Sequence, residues 1–111
     1  MSESKELMRG SVEVVILKLL SEREMYGYEM MKTVNERSRG YFEWREGSLY
    51  PCLHKLEGDG LVRSRLRESG GKMRRYYTLT SAGREAAMAR TAAAREFCSV
   101  LSTLLIPAPQ A

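Results

Sequence analysis

The segment Glu46–Thr80 reads EGSLYPCLHKLEGDGLVRSRLRESGGKMRRYYTLT. It divides into a short helix, a tight turn, a strand, a basic Gly-Gly hairpin and a return strand. Ser48 is the predicted N-cap, and Pro51 then falls in the first turn, where its missing N–H costs little. Leu49, Leu53 and Leu56, at i, i+4 and i+7, give the helix one buried face and leave Tyr50, His54, Lys55 and Glu57 on the others. Gly58-Asp59-Gly60 stops it. From Leu61 to Arg67 the chain alternates, with Leu61, Arg63, Arg65 and Arg67 on one side and Val62, Ser64 and Leu66 on the other. Gly70-Gly71 is a hairpin turn signal. On the return strand Tyr77 and Leu79 share one face and Arg74 and Tyr76 the other. One of the adjacent tyrosines must face the core, and Tyr77 is the one expected to.

Outward from this segment, apolar residues recur at helical spacing from about Leu7 to Ser21: Leu7, Met8, Val12, Val15, Ile16, Leu19 and Leu20. Val14 and Leu17 fall outside that face. A helix apolar on more than one side contacts two things, here its own core and a partner chain. Tyr26-Gly27-Tyr28 opens a second helix that runs to about Ser38, with Tyr28, Met30, Met31 and Val34 turned inward and Gly40 in the left-handed closing position. Tyr41–Trp44 is aromatic and is expected to form a short strand against the hairpin. Thr80-Ser81 caps a last helix, with Glu85 near its first turn, that runs to about Ile106 and stops before Pro107. Its predicted apolar stripe is Ala86, Ala89, Ala93, Phe97, Val100 and Leu104, widened by Leu101 and Leu105.

A helix of some 25 residues rising about 1.5 Å each outruns a domain of this size. The stripe predicts a second copy of the chain as its cover, joined by Leu7, Val14 and Leu17 of the first helix. The fold class is therefore mainly α with a small β-hairpin (α+β): a winged helix-turn-helix over residues 1–80, a dimerisation helix over 81–106 and a frayed tail over 107–111.

The net charge of +4 hides its own placement. Residues 1–46 carry eight Lys/Arg against nine Asp/Glu, whereas residues 61–80 carry six (Arg63, Arg65, Arg67, Lys72, Arg74, Arg75) against the single Glu68. A basic run on a hairpin beside a helix-turn-helix points to a polyanion. An enzyme reading fares badly: His54 is the only histidine, and no Gly-rich phosphate loop precedes a helix. Cys52 and Cys98 form no metal motif or disulfide framework. No cofactor or metal is expected. No signal peptide or membrane span is legible, so a cytoplasmic protein is expected.

Gripping a duplex requires groups that position on phosphates, groups that reach base edges and a source of attraction. The start of the second helix, with Tyr26 and Tyr28, offers backbone N–H groups and phenols for the first. Ser48 and Tyr50, with His54 and Lys55 one turn later, are candidates for the second. Lys72, Arg74 and Arg75 at the hairpin tip supply the third. Other readings stand beside these. Tyr50 could pack against Tyr41 or Trp44. His54 could be an ordinary surface residue, and Arg63, Arg65 and Arg67 could be solvated or ion-paired.

The motifs YGYEMMKTV (26–34), EGSLYPCLHKLEGDGLV (46–62) and GGKMRRYYTLTSAGRE (70–85) closely resemble the PadR family of bacterial transcriptional regulators, over about Leu7–Glu85. The resemblance implies a winged helix that dimerises through its terminal helices, represses genes by binding double-stranded DNA, and often releases DNA when a small-molecule effector binds. It places Ser48, Leu49, Tyr50 and Pro51 at the start of the recognition helix, and Lys72, Arg74, Arg75 and Tyr76 on the wing. A single helix after the wing resembles the short subfamily. Multidrug-binding members of that subfamily carry a tryptophan on the last helix that stacks flat drugs between subunits. The matching position here is Ala94, and the only tryptophan is Trp44. A dry interface around Ala93, Phe97 and Val100 is then as well supported as a drug pore. The reading from a different class is a small-molecule sensor or protein-interaction module on the same scaffold with weak DNA binding.

Overall fold

A computed structural model describes residues 10–109. Leu7 and Met8 lie outside the described residues, as do positions 110 and 111 of the tail. In chain order the elements are helix α1 (Val12–Glu22), strand β1 (Met25–Tyr26), helix α2 (Gly27–Arg37), helix α3 (Glu46–Gly58), strands β2 (Val62–Ser69) and β3 (Lys72–Leu79), and helix α4 (Ser81–Leu105). The three strands form one antiparallel sheet in the order β1-β3-β2. This is the expected α+β winged helix, with one strand in an unexpected place.

That third strand is Met25–Tyr26, paired with Tyr77 and Tyr76 of β3. Tyr41–Trp44 forms no strand. Trp44 is buried instead and immediately precedes Arg45, the residue before α3. Trp44 and Leu49 both join the core, as the apolar residues flanking a helix start commonly do. This anchor explains why α3 begins at Glu46 rather than after Ser48. The Arg45 carbonyl accepts from the Ser48 and Leu49 N–H groups at 2.9 and 3.0 Å, so Ser48 lies in the first turn and Pro51 in the second.

The hairpin register is continuous from Val62↔Leu79 to Ser69↔Lys72. Gly70 and Gly71 form the two-residue turn with φ of +61° and +79°, the left-handed pair such turns demand. The core gathers Ile16 and Leu17 from α1, Met25 from β1, Met30 from α2, Leu49, Leu53 and Leu56 from α3, and Tyr77 from β3, all essentially inaccessible. Each such side chain contributes about 1.5–3 kcal/mol of burial.

Two expectations about α1 are corrected. Leu17 is fully buried in this chain's own core and is no part of an exposed face. Val14 is half-buried. The second contact of α1 is the chain's own α4, which packs along it. The face of α4 turned inward carries Gly83, Ala87, Thr91 and Ala94, the first two buried and the others half-buried. Small residues there permit a close approach and give little apolar signal, so the larger neighbouring stripe reads more loudly in the sequence. Ala86 of that stripe is half-buried against the core; Ala89, Ala93, Phe97, Val100 and Leu104 are exposed, as is Leu101.

The start of α4 is closely specified. Thr80 Oγ1 accepts from the Gly83 N–H at 3.0 Å and donates to the Gly60 carbonyl at 2.6 Å, and the Thr80 N–H donates to the Leu61 carbonyl at 3.1 Å. A Cβ on Gly83 would overlap the Leu61 carbonyl oxygen and lie 2.9 Å from its carbon. Relieving a backbone clash shifts a helix at a cost of about 1–3 kcal/mol, which exceeds the helix-propensity gain of roughly 0.8–1 kcal/mol from replacing glycine with alanine. Gly83→Ala is therefore expected to lower stability by up to about 2 kcal/mol in urea denaturation, the difference of these two effects. A second expectation concerns the ends of α1 and α2. Arg37 grips Glu22 with two bonds of 2.6 and 3.0 Å, which hold the Glu22 carboxyl below its ordinary pKa, the Arg37 hydrogen bond being the largest cause. A depressed carboxyl stabilises the fold above its unfolded pKa and ceases to as pH falls through the folded one. The pair is open to solvent, so Glu22→Gln should cost at most about 1 kcal/mol at neutral pH. Thermal melts of the two proteins should converge in acid.

Candidate nucleic-acid interface

The N-terminus of α2, the outer side of α3 and the near edge of the wing meet around one cavity of about 370 Å³. Tyr26, Gly27 and Tyr28 form its first wall, Tyr50 and His54 its second, and Arg74, Arg75 and Tyr77 its third. Each arrives for a local reason. Pairing of Met25-Tyr26 with β3 fixes where α2 begins. The Glu29 carboxylate accepts from the Tyr26 N–H at 3.1 Å and from Arg23 at 3.2 Å, which holds the helix start. The further N–H groups of the first turn lack helical acceptors, so the wall has a positive character. Tyr28 is 62% exposed, so it belongs to this outer surface and not to the inward face on which the spacing placed it.

Tyr50 takes a position the sequence leaves open. A Cβ on Gly27 would overlap the Tyr50 hydroxyl and lie 2.8 Å from its ring carbon Cζ. The tyrosine therefore lies directly over the backbone where α2 starts. Beneath it Tyr77 is 2% exposed. Burial pushes the Tyr77 hydroxyl pKa up, Glu57 and Tyr50 push it the same way, and Arg75 opposes them. The phenol is neutral and remains a hydrogen-bond donor.

The wing sorts its basic residues by strand alternation. On the outer face the Arg74 guanidinium stacks over Tyr26 at 4.5 Å from the ring centre and donates to its hydroxyl. Arg67 stacks over Tyr76 at 3.9 Å. The two tyrosines meet edge to face at 5.3 Å. Glu24 takes Arg67 and lies 3.8 Å from Arg65. On the other face Arg75 donates to Ser64 Oγ at 3.2 Å, and that hydroxyl donates to Glu57 at 2.9 Å. Arg63 and Lys72 are exposed and form no ion pair among the described residues.

Several expected contacts move. Leu49 is fully buried and belongs to the core. Tyr76 is 6% exposed, covered by Tyr26 and Arg67, so both adjacent tyrosines are buried, on opposite faces. Lys55 turns to Glu13 of α1 and to Asp59, each at 3.3 Å, and away from the cavity. Ser48 and Pro51 are exposed on α3 but do not line the cavity, and Lys72 stands beyond it at the ribbon end. Arg63, Arg65 and Arg67 divide between the solvated and ion-paired readings. Glu24 and Tyr77 are the participants that spacing and charge do not single out. Gly27 is legible as part of the phosphate-facing start of α2, but not as the place where Tyr50 rests.

This arrangement concentrates guanidinium, imidazole and phenol donors at a helix N-terminus beside a solvent-facing helix. It suits an extended anion that carries edges to be read. No group of three or more candidate metal ligands occurs among the described residues, and no described helix is long and apolar enough to cross a membrane.

A family model described as the transcriptional regulator PadR-like family matches residues 16–89. The chain belongs to that family. A transcriptional regulator of Mycobacterium tuberculosis is 39% identical over 82 residues, covering 74% of each chain. A PadR-like transcriptional regulator from Bacillus cereus superposes with a TM-score of 0.81 at 29% identity, covering 93% of this chain and 99% of that one. A transcriptional regulator from Clostridium thermocellum gives 0.79 at 28%, covering 90% and 98%. The protein is thus a PadR-type transcriptional regulator, and its winged-helix elements are those just described.

Gly27→Ala tests the α2–α3 contact. The clash falls on the end of a side chain that can swing away, so the fold should survive while Tyr50 is displaced. Affinity for the DNA upstream of the gene should fall by about 1–3 kcal/mol, with little change on random duplex. Fluorescence anisotropy on both duplexes measures this. Equal losses would remove Tyr50 from base reading.

Proposed function

We propose that this PadR-family protein is a homodimeric, sequence-specific repressor that binds a near-palindromic operator. The observation that carries the reading is the convergence of α3, the α2 N-terminus and the basic wing on one solvent-facing surface. In this reading Tyr50 and His54, with Ser48 and Pro51 toward the start of α3, face base edges. Tyr26, Tyr28 and Arg74 position on phosphates, and Lys72, Arg75 and Arg63 add attraction. Lys55, Leu49 and Tyr76 act only through the structure they support.

The dimer rests on α4. Its distal half exposes Phe97, Val100, Leu104 and Leu105, at 68, 55, 75 and 72%. A contiguous apolar stripe on a helix standing clear of its own domain marks a contact surface. Leu101 and Leu105 extend the angular face of Gly83, Ala87, Thr91 and Ala94 beyond the end of α1, so two adjoining stripes are open there. A two-fold partner covers both and sets two α3 helices toward successive major grooves about 34 Å apart. Repression is supported by a relative from Bacillus subtilis named a negative transcriptional regulator, 29% identical over 75 residues, of which the chain spans 41%. Release by a small-molecule effector would act on the same dimer. Ala94 at the inward face of α4 favours a dry interface over an aromatic sandwich.

A mobility-shift titration with the duplex upstream of the gene tests the whole reading. Two chains per duplex, salt-sensitive binding and clear preference over random DNA are expected. The double variant Phe97→Glu and Val100→Glu should sediment as a monomer with its fold intact and lose at least tenfold in operator affinity, every 1.4 kcal/mol being tenfold. A wild-type monomer in sedimentation, or equal binding to both duplexes, overturns the proposal.

A further inference from the structure

We propose that Glu24 is a built-in counter-charge that weakens this protein's salt-dependent grip on DNA phosphates, a role that rests on the DNA-binding reading above. Glu24 lies in the two-residue link between α1 and β1. β1 pairs only with β3, yet the Glu24 carboxylate reaches across β3 to the far strand. There Oε1 takes Arg67 and Oε2 lies 3.8 Å from Arg65. Arg65 and Arg67 are two residues apart, so both project from the outer face of the ribbon. The ribbon's own acid, Glu68, pairs with Met73 and belongs to the opposite face.

The contact does little for the fold. The side chains of Arg65 and Arg67 are 66 and 41% exposed, and ion pairs this open contribute little net stability because solvent screens them. Its consequence lies in what the arginines are kept from doing. Binding to random DNA is driven by phosphate neutralisation, each contact contributing roughly 0.9 to the log–log salt slope. A carboxylate already seated on two guanidiniums must be displaced before either can take a phosphate. Random binding rests wholly on such contacts. Operator binding also draws on base contacts from α3, but losing the same phosphate contacts lowers both affinities by the same factor. The net result is a weaker and less salt-sensitive grip on either duplex.

The test is Glu24→Gln, titrated by fluorescence anisotropy over a range of salt on a random-sequence duplex and on the duplex upstream of the gene. The variant should hold random DNA roughly tenfold more tightly at moderate salt, with a slope steeper by roughly 0.9–1.8. Operator affinity should rise by a similar factor, because the same two guanidiniums are released on both duplexes. A purely structural residue would move these quantities the other way. Glu85→Gln removes an equal charge from an exposed site on α4 and should change the slope far less. In a background carrying Arg65→Ala and Arg67→Ala, adding Glu24→Gln should gain nothing. A slope unchanged by Glu24→Gln, matched by Glu85→Gln, or still steepened without the two arginines overturns the inference while leaving the DNA-binding reading standing. A wild-type protein that binds neither duplex in a salt-dependent way overturns both.

Discussion

The surface that matters in this protein depends on two helices approaching until a single methyl group would not fit between them. Gly27 opens α2, and the Tyr50 ring of α3 occupies the space its Cβ would fill. Because β1 ends at Tyr26 and is paired to β3, the same few residues also tie the wing to the helices. Helix start, solvent-facing helix and ribbon are thereby registered at one point. A core of close-packed Leu, Ile and Met side chains behind them allows little compensating slack. A comparable device holds the last helix, where Gly83 sits against the Leu61 backbone and Thr80 bonds across to Gly60. Gly83 fixes how α4 lies on the Leu61 backbone, whereas Gly27 leaves the space in which the Tyr50 side chain rests.

The charge of the ribbon is less uniform than its composition. Alternation sends Arg65, Arg67 and Arg74 to the outer face, where Tyr26, Tyr76 and Glu24 engage them. Arg75 goes to the other face beside Ser64. A guanidinium stacked on a phenol ring retains its charge and remains able to donate, so these arginines are oriented as well as held. The outer face is better described as an ordered lattice of alternating cation and ring than as a flexible basic tip.

The last helix resolves a puzzle posed by the first. α1 is apolar around most of its circumference because it is sandwiched between the core and α4 of its own chain. That arrangement consumes only the small-residue face of α4. Its larger apolar stripe from Ala89 onward, and the part of α4 beyond the end of α1, are left facing water.

Periodicity and turn chemistry alone established most of the fold. The Leu49–Leu53–Leu56 spacing, the Gly-Gly turn, the alternation of the ribbon, the Thr80 cap and the length of α4 are local signals, each legible within a few residues. The motifs also identified the family. Contacts between residues far apart in the chain were decided only in three dimensions. β1 is two residues long and too short to carry a pattern, so the third strand was expected at Tyr41–Trp44. Trp44 instead became the anchor that moved the start of α3. Lys55 was drawn to Glu13 across forty-two positions, and Glu24 to Arg67 across forty-three. Burial of Tyr76 required Tyr26 and Arg67 to meet over it. Local sequence determines how each element folds, because its hydrogen bonds close within a few residues. Which charge finds which partner, and which ring covers which glycine, depends on packing the whole chain.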